Sequence, residues 1–428
     1  MKRLIILMLS LALLLTAAAG AEVSVVCSGC QRQVSGDDDF RFCPYCGAAL
    51  GEHIATPTGE EYTFVNPALE EAARQALEKP EGPLYTDELA GIKILSVTWK
   101  PIDGDLSDLA VMTGLKSLTL YNTENIADIS VISELHQLKT LSLDGNKVED
   151  LSPVTGLTEL EQLSVDDNLV SDLTPVTGLT KLKDLSVAQN RITDLSPLAG
   201  MDGLETLAIG YNGVSDISVL AGMKNLKELR CWGNNISDLG PIAGLVNLTT
   251  LYASENSIRD TSPLAGLTSL AWLDLEENEI ENLEGLSGLV SLTSLQIRLS
   301  PEVSDISPLG TLVNLNELIL WSAQGVRDIS CLSSLDKLTT LAINNSDISD
   351  LSPLSGLTQL NSLSVCNGRV RDISPLAGLT QLTELYLNEN EITDISPLSE
   401  LTSMKRVWLQ ENPVSDYSPV EHVFEVEK

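Results

Sequence analysis

The chain has 428 residues, with 60 Asp and Glu against 26 Lys and Arg for a formal charge of −34, 43% hydrophobic side chains and only 4% aromatics. That charge excludes a sequence-independent grip on nucleic acid, because neutralising phosphates takes clustered Lys and Arg. The high, evenly spread hydrophobic content excludes a disordered acidic chain.

Residues 1–21 have the layout of a secretory signal: Lys2 and Arg3, an apolar run from Leu4 to Leu15, then Ala19 and Ala21 as an A-x-A cleavage site. The apolar run is short of the roughly 20 residues a spanning helix needs, and no later segment could span a membrane. A secreted or surface-associated protein is therefore expected, without stable membrane insertion after cleavage.

Segment 22–51 holds Cys27-Ser-Gly-Cys30 and Cys43-Pro-Tyr-Cys46-Gly, with 12 residues between the pairs. Each C-x-x-C turn can present two thiolates to one face. Two such turns complete a closed tetrahedral zinc site with no position left for water, which makes it structural. The segment resembles the small zinc ribbons at the ends of many bacterial proteins. A pair of disulfides is the alternative, permitted outside the cytoplasm. With little core beyond Phe40, Phe42 and Leu50, the segment needs one or the other.

Residues 52–63 read as a linker. In 64–91, Leu69, Ala72, Ala73, Ala76 and Leu77 fall on one face of a helix. From 92 to 416 the chain repeats the frame L-x-x-L-x-L-x-x-N-x-I-x-D-I-S-P-L-x-G-L-T in 15 units, the first degenerate. First positions fall at 92, 115 and 138, then every 22 residues to 292, then at 315 and 338, then every 22 residues to 404. Within a unit, x-L-x-L-x is a short strand whose leucines point inward and whose alternate residues point outward. The Asn at position nine can satisfy backbone groups left unpaired by the turn. Ser is expected to cap a short helix and Pro to open it. No unit buries its leucines alone, so the array must stack and be closed at its ends; residues 417–428 are the C-terminal tail or cap.

The DISPLxGLTxL units resemble the internalin-type leucine-rich repeats of Gram-positive bacteria. The segment from Phe64 to Leu84 resembles the helical N-terminal cap that accompanies them. The resemblance implies an α/β solenoid: a curved leucine-rich repeat array with a parallel β concave face, short convex helices, and partners that are proteins bound on the concave face. Fold alone does not assign that function.

Ligand information must lie where the units differ. Nine aromatics fall in the repeats, and seven of them occupy outward strand positions three, five or seven; Trp99 and Tyr211 sit at position eight. Four of 22 positions should collect fewer than two of nine by chance. Rings suit a β surface and stack across strands, but Trp and Tyr on an otherwise polar face are also the residues that anchor interfaces. The expected ligand-binding residues are Arg230, Trp232, Tyr252, Trp272, Arg298 and Trp321, spread over five units. A protein or peptide partner is expected, with a carbohydrate or cell-wall glycan stacking on the same rings as the alternative.

Asp144, Asp166, Asp167 and Asp184 make the earlier part of the face acidic, whereas Arg230, Arg298 and Arg406 lie farther along. The acidic part reads as a solvated polar face, or as a site for a basic partner or calcium. The repeated Asp before I-S-P is expected to accept local backbone hydrogen bonds. Ser300, Ala323, Ser346 and Gly368 replace the repeat Asn in four successive units, which predicts a bulge or flatter curvature beside Trp321. Cys231 points inward as a small core residue, while Cys331 and Cys366 lie on opposite sides of the coil and should not pair. The histidines, His53, His136 and His422, stand off the concave face, and a shallow open surface excludes water poorly, so the chain is not expected to be an enzyme.

Overall fold

A computed structural model describes residues 59–428 and, before them, the backbone of two short strands, Val23–Val26 and Gln33–Gly36, paired antiparallel. The chain divides into two units, Met1–Thr58 and Gly59–Lys428. The signal segment and Cys27, Cys30, Cys43 and Cys46 lie outside the described residues.

The second unit is built on one sheet of 16 parallel strands in unbroken sequence order, from Ile94–Thr98 to Glu425–Glu427. Most strands span only positions three to five, as in Thr140–Ser142, with Leu141, Leu163 and Leu185 level across three neighbours. Between strands the chain returns through 3₁₀ helices of three to five residues, such as Ser152–Val154 and Ser262–Gly266. The core follows from the frame. In the coil that begins at Leu138, Leu138, Leu141, Leu143, Val148, Leu151, Val154 and Leu157 are all essentially inaccessible. Each such side chain contributes roughly 1.5–3 kcal/mol, realised only when the next coil covers it.

The helix cap differs from expectation. Ser152 is the first helical residue and Pro153 the second, while Leu151 at the cap position makes no side-chain bond. Leu151 is committed to the core, so the cap comes from one residue earlier: Asp150 Oδ1 accepts from the Ser152 amide at 2.7 Å. The same bond recurs in 14 coils at 2.7–2.9 Å. These amide bonds hold the carboxyls of residues such as Asp128, Asp216 and Asp372 below the usual carboxylate range. The repeated Asp is thus a local backbone acceptor.

Helix α1, Pro67–Ala76, starts at Asn66, whose side chain accepts from the amides of Ala68 and Leu69 at 2.9 and 3.3 Å. It lies against strand Ile94–Thr98 and buries Leu69, Ala72 and Ala73. Ala76 is exposed and Leu77 only half-buried, because the helix ends there. The end of the expected linker is ordered: Glu61–Tyr62 pairs with Leu84–Tyr85, and buried Asp108 accepts from the Tyr62 hydroxyl and the amides of Val65 and Asn66 at 2.8–3.0 Å. Residues 417–428 supply a further 3₁₀ turn, Ser418–Val420, and the sixteenth strand.

Asn146, Asn168, Asn190, Asn212, Asn234, Asn256 and Asn278 form a ladder. Each donates to carbonyls of its own and the preceding coil; for Asn234 these are Cys231 at 3.1 Å and Ile209 at 2.9 Å, and its Oδ1 accepts from the Val214 amide at 3.0 Å. Around the point where Ser300 first replaces Asn the strands lengthen, to Trp272–Ile280, Ser294–Leu299 and Glu317–Trp321, and they shorten again by Ser362–Ser364. The register slips between Leu275 and Ile280. A bulge therefore exists, but two coils before that of Trp321, in the strand Trp272–Ile280 next to Ser300, where the first ladder bond is lost.

Candidate functional site

All nine repeat aromatics stay out of the leucine core. Trp232, Tyr252 and Trp272 lie at positions seven, five and three of consecutive coils, so each step moves back two residues and the row crosses the open sheet face obliquely. The Trp232 and Tyr252 centroids are 6.0 Å apart, edge to face at 87°, and Tyr252 and Trp272 are 6.0 Å apart with a 42° tilt. Tyr211 extends the row, 6.5 Å from Trp232, and its hydroxyl donates to Glu255 at 2.7 Å.

Two glycines let the rings lie this close. A Cβ on Gly210 would stand 2.7 Å from Trp232 Cε2, and one on Gly233 would stand 2.3 Å from Tyr211 Cδ1. Tyr211 itself holds φ +49°, a left-handed backbone that costs a bulky residue roughly 1–2 kcal/mol. Sequence reasoning counted Tyr211 on the strand edge but left it out of the candidate site. Its signal was the glycine one coil on, at the same position eight.

The other candidate residues gather less tightly. Arg230 lies over the Tyr252 ring at 5.8 Å and pairs with Glu228. Arg298 pairs with Glu277, and Trp321, beside Arg298 in the register, donates from Nε1 to Glu276. Trp321 is 39% exposed and has no ring contact with the row. Buried Nε1 of Trp272 has no partner among the described residues. The remaining aromatics form separate pairs, Trp99 with Tyr121 at 5.3 Å and Tyr386 with Trp408 at 4.5 Å.

The acidic stretch is an internal hydrogen-bond ladder. Asp144 accepts from Ser142, Ser164 and the Asp166 amide at 2.6–3.0 Å, and Asp166 in turn from Ser186 and the Ala188 amide at 2.7 Å. Burial pushes the Asp166 carboxyl up to about 6; the Ser186 bond opposes this and the Asp144 charge adds to it. Asp184 accepts from Gln162 at 2.8 Å, and Asp167 is exposed at position eight. Arg406 lies between Glu384 and Glu425. Among the described residues no three His, Cys, Asp or Glu side chains cluster as metal ligands.

Cys231 is fully buried in the core, which raises its thiol to about 12. Cys331 donates to the Ile306 carbonyl at 3.3 Å, and half-buried Cys366 contacts Asn388 Oδ1 at 3.2 Å; the three are unpaired with one another. His136 lies on an exposed turn off the sheet face, and His422 Nε2 is 3.2 Å from the Leu401 carbonyl.

A family model of leucine-rich repeats, taken two copies at a time, matches residues 136–179, 180–222, 224–266 and 380–422. The fold and this match define a leucine-rich repeat protein. Among solved structures, an internalin, inlF, of Listeria monocytogenes is 28% identical over 85% of this chain and 96% of its own, with a TM-score of 0.62. The functional domain of InlJ from the same organism is 23% identical over 82% of each chain, with a TM-score of 0.67. The ectodomain of the plant receptor kinase GASSHO1/SCHENGEN3 from Arabidopsis thaliana, solved with CASPARIAN STRIP INTEGRITY FACTOR 2, is 21% identical over 74% of this chain and 40% of its own, with a TM-score of 0.59. No curated protein sequence matches the chain. The repeats are leucine-rich repeats, and the array is similar to an internalin of Listeria monocytogenes.

Proposed function

We propose that the protein is a secreted or surface-exposed binding module that holds an extended segment of a protein partner against the row Tyr211, Trp232, Tyr252 and Trp272, with Arg230, Arg298 and Trp321 at its margins. The observation that carries this reading is contiguity: four rings in four consecutive coils, each near van der Waals contact with the next. Aromatic anchors of this kind concentrate binding energy where they exclude water. The likeness to internalins and to a plant ectodomain bearing a bound protein factor supports a protein partner outside the cell. Among the described residues no helix is long and apolar enough to cross a membrane.

The test replaces Trp232, Tyr252 and Trp272 by Ala together and compares the variant with wild type on a peptide library and a glycan array. Loss of peptide binding is expected. Loss confined to glycans would transfer the row to carbohydrate, and unchanged binding of every ligand would make it scaffold.

For the N-terminal segment, the spacing of Cys27, Cys30, Cys43 and Cys46 supports a structural zinc ion. Metal analysis of purified protein should find about one zinc per chain; absence of metal together with absence of free thiols in that segment would mean disulfides.

A further inference from the structure

The ring row ends at Trp272, at position three, where the sheet meets the rim along which the chain turns from each 3₁₀ helix into the next strand. In the coils beginning at 138 to 226, the rim's second position alternates Lys139, Glu161, Lys183, Glu205 and Lys227, with ion pairs such as Lys139–Glu161 at 2.7 Å and Lys227–Glu205 at 2.6 Å. In the next four coils the charge disappears. The two residues before each coil's first leucine (Leu248, Leu270, Leu292 and Leu315) and the one after it make 12 positions there, and none is Asp, Glu, Lys or Arg. Val246, Val290 and Val313 occupy the same turn position in three of those coils and are 54%, 50% and 44% exposed. Ala271 joins this shelf directly to Trp272.

Four of the shelf's eight polar residues have their donors engaged by the preceding coil, while Thr268, Ser269, Ser291 and Asn316 are exposed. Asn247 and Asn314 donate to the carbonyls of Lys224 and Val290 at 2.8 Å, and Thr249 and Thr293 to those of Lys227 and Ala271 at 3.0 and 2.9 Å. A charged segment would find no countercharge among these 12 positions; Lys337 reaches only their edge, at Asn314. The shelf presents three exposed valines set among uncharged polar side chains.

We propose that this shelf is the second half of the docking surface, and that it takes an uncharged, aliphatic stretch of the partner polypeptide as that chain leaves the ring row over the rim. The inference rests on the ring row's being the peptide site. It assigns the partner a pattern: an anchor segment across Tyr211 to Trp272, followed or preceded by aliphatic residues without charge.

The experiment selects a displayed random-peptide library on the full wild-type chain and measures the dissociation constants of the enriched peptides by calorimetry. Three variants are compared: Val290→Lys with Val313→Lys on the shelf, Thr358→Lys with Thr380→Lys at the same turn position beyond it, and Trp232→Ala with Tyr252→Ala in the row. All four lysine sites are exposed, so the fold should survive, as circular dichroism would verify. Enriched peptides should share an uncharged aliphatic run and lose at least about tenfold in affinity to the shelf variant, and less than about twofold to the control variant. Peptides weakened by the ring variant but indifferent to the shelf variant would overturn the shelf and leave the row standing. Peptides that need the valines but not the rings would overturn the row and the continuity together, as would a library that yields no binder.

Discussion

The coils beginning at 138 to 270 and those beginning at 292 to 360 bury the same leucines but hold their turns by different means. In the first group a buried or half-buried Asn stitches each turn to the coil before it. In the second, Ser300, Ala323, Ser346 and Gly368 do not, and in the first two of these coils longer strands add main-chain pairing, with Leu299 opposite Ile280. Position eight marks the boundary: it is left-handed in the flanking coils, at Glu277 and Ser322, but Leu299 continues its strand instead and is buried. The family model's matches stop at 266 and resume at 380, leaving out the four coils without Asn and the one before them. Apolar burial alone thus suffices to stack a coil, while the asparagine fixes how its turn is held. The ring row and its shelf straddle the junction between the two regimes.

The sharpest way to break this contrast is Asn234→Ala. It strips the Val214 amide and the Ile209 and Cys231 carbonyls of their side-chain partner in a buried turn. A loss of about 2–3 kcal/mol is expected in denaturant titration. A loss under about 0.5 kcal/mol would mean that the ladder is dispensable everywhere.

Asp166→Asn is the next largest effect, with opposite sign. Asn344 already performs the same task in a later coil, its Oδ1 accepting from Ser364 and the Cys366 amide at 2.8 and 3.1 Å. The Asp166 carboxyl titrates near 6 when folded, above its ordinary value of 3.8. The folded state therefore binds this proton more tightly. Its favourable contribution is complete below about pH 4 and fades as pH rises to 6, leaving no net proton-linked gain above. The amide should stabilise the protein at pH 7 by about 1–2 kcal/mol and flatten stability between pH 4 and 6. Destabilisation at pH 7 would show that the carboxylate is held by more than its hydrogen bonds.

Ser346→Ala should do least. The Ser346 hydroxyl is buried without a partner among the described residues, so removing it should change stability by less than about 0.5 kcal/mol or raise it slightly. Compared with Asn234→Ala, it measures directly how much the turn at position nine matters on each side of the junction.

The solenoid was legible in the sequence because a strict period of buried leucine leaves one solution. Strand parity alone put the rings on the open face. Two features were not legible in this way. The helix cap was assigned to Ser152 and its equivalents, because Ser is a good cap residue; that Leu151 must point inward, and so hand the task to Asp150, emerges only when the coil is closed. The contiguity of Tyr211 with Trp232, and the separation of Trp321, depend on how side chains lean between coils, which the glycines at 210 and 233 permit and the slipped register at 275–280 alters. Parity says which face a ring takes, not which neighbour it meets.

That lean offers the most direct test of a continuous row as the recognition element. Gly210 is buried beneath Trp232 and has an ordinary backbone, so Gly210→Ala keeps every ring while displacing the Trp232 indole. Titrated calorimetrically with a peptide selected on the wild-type chain, the variant should bind at least about tenfold more weakly with its fold intact. Wild-type affinity, with the indole shown to have moved, would contradict recognition by a continuous row.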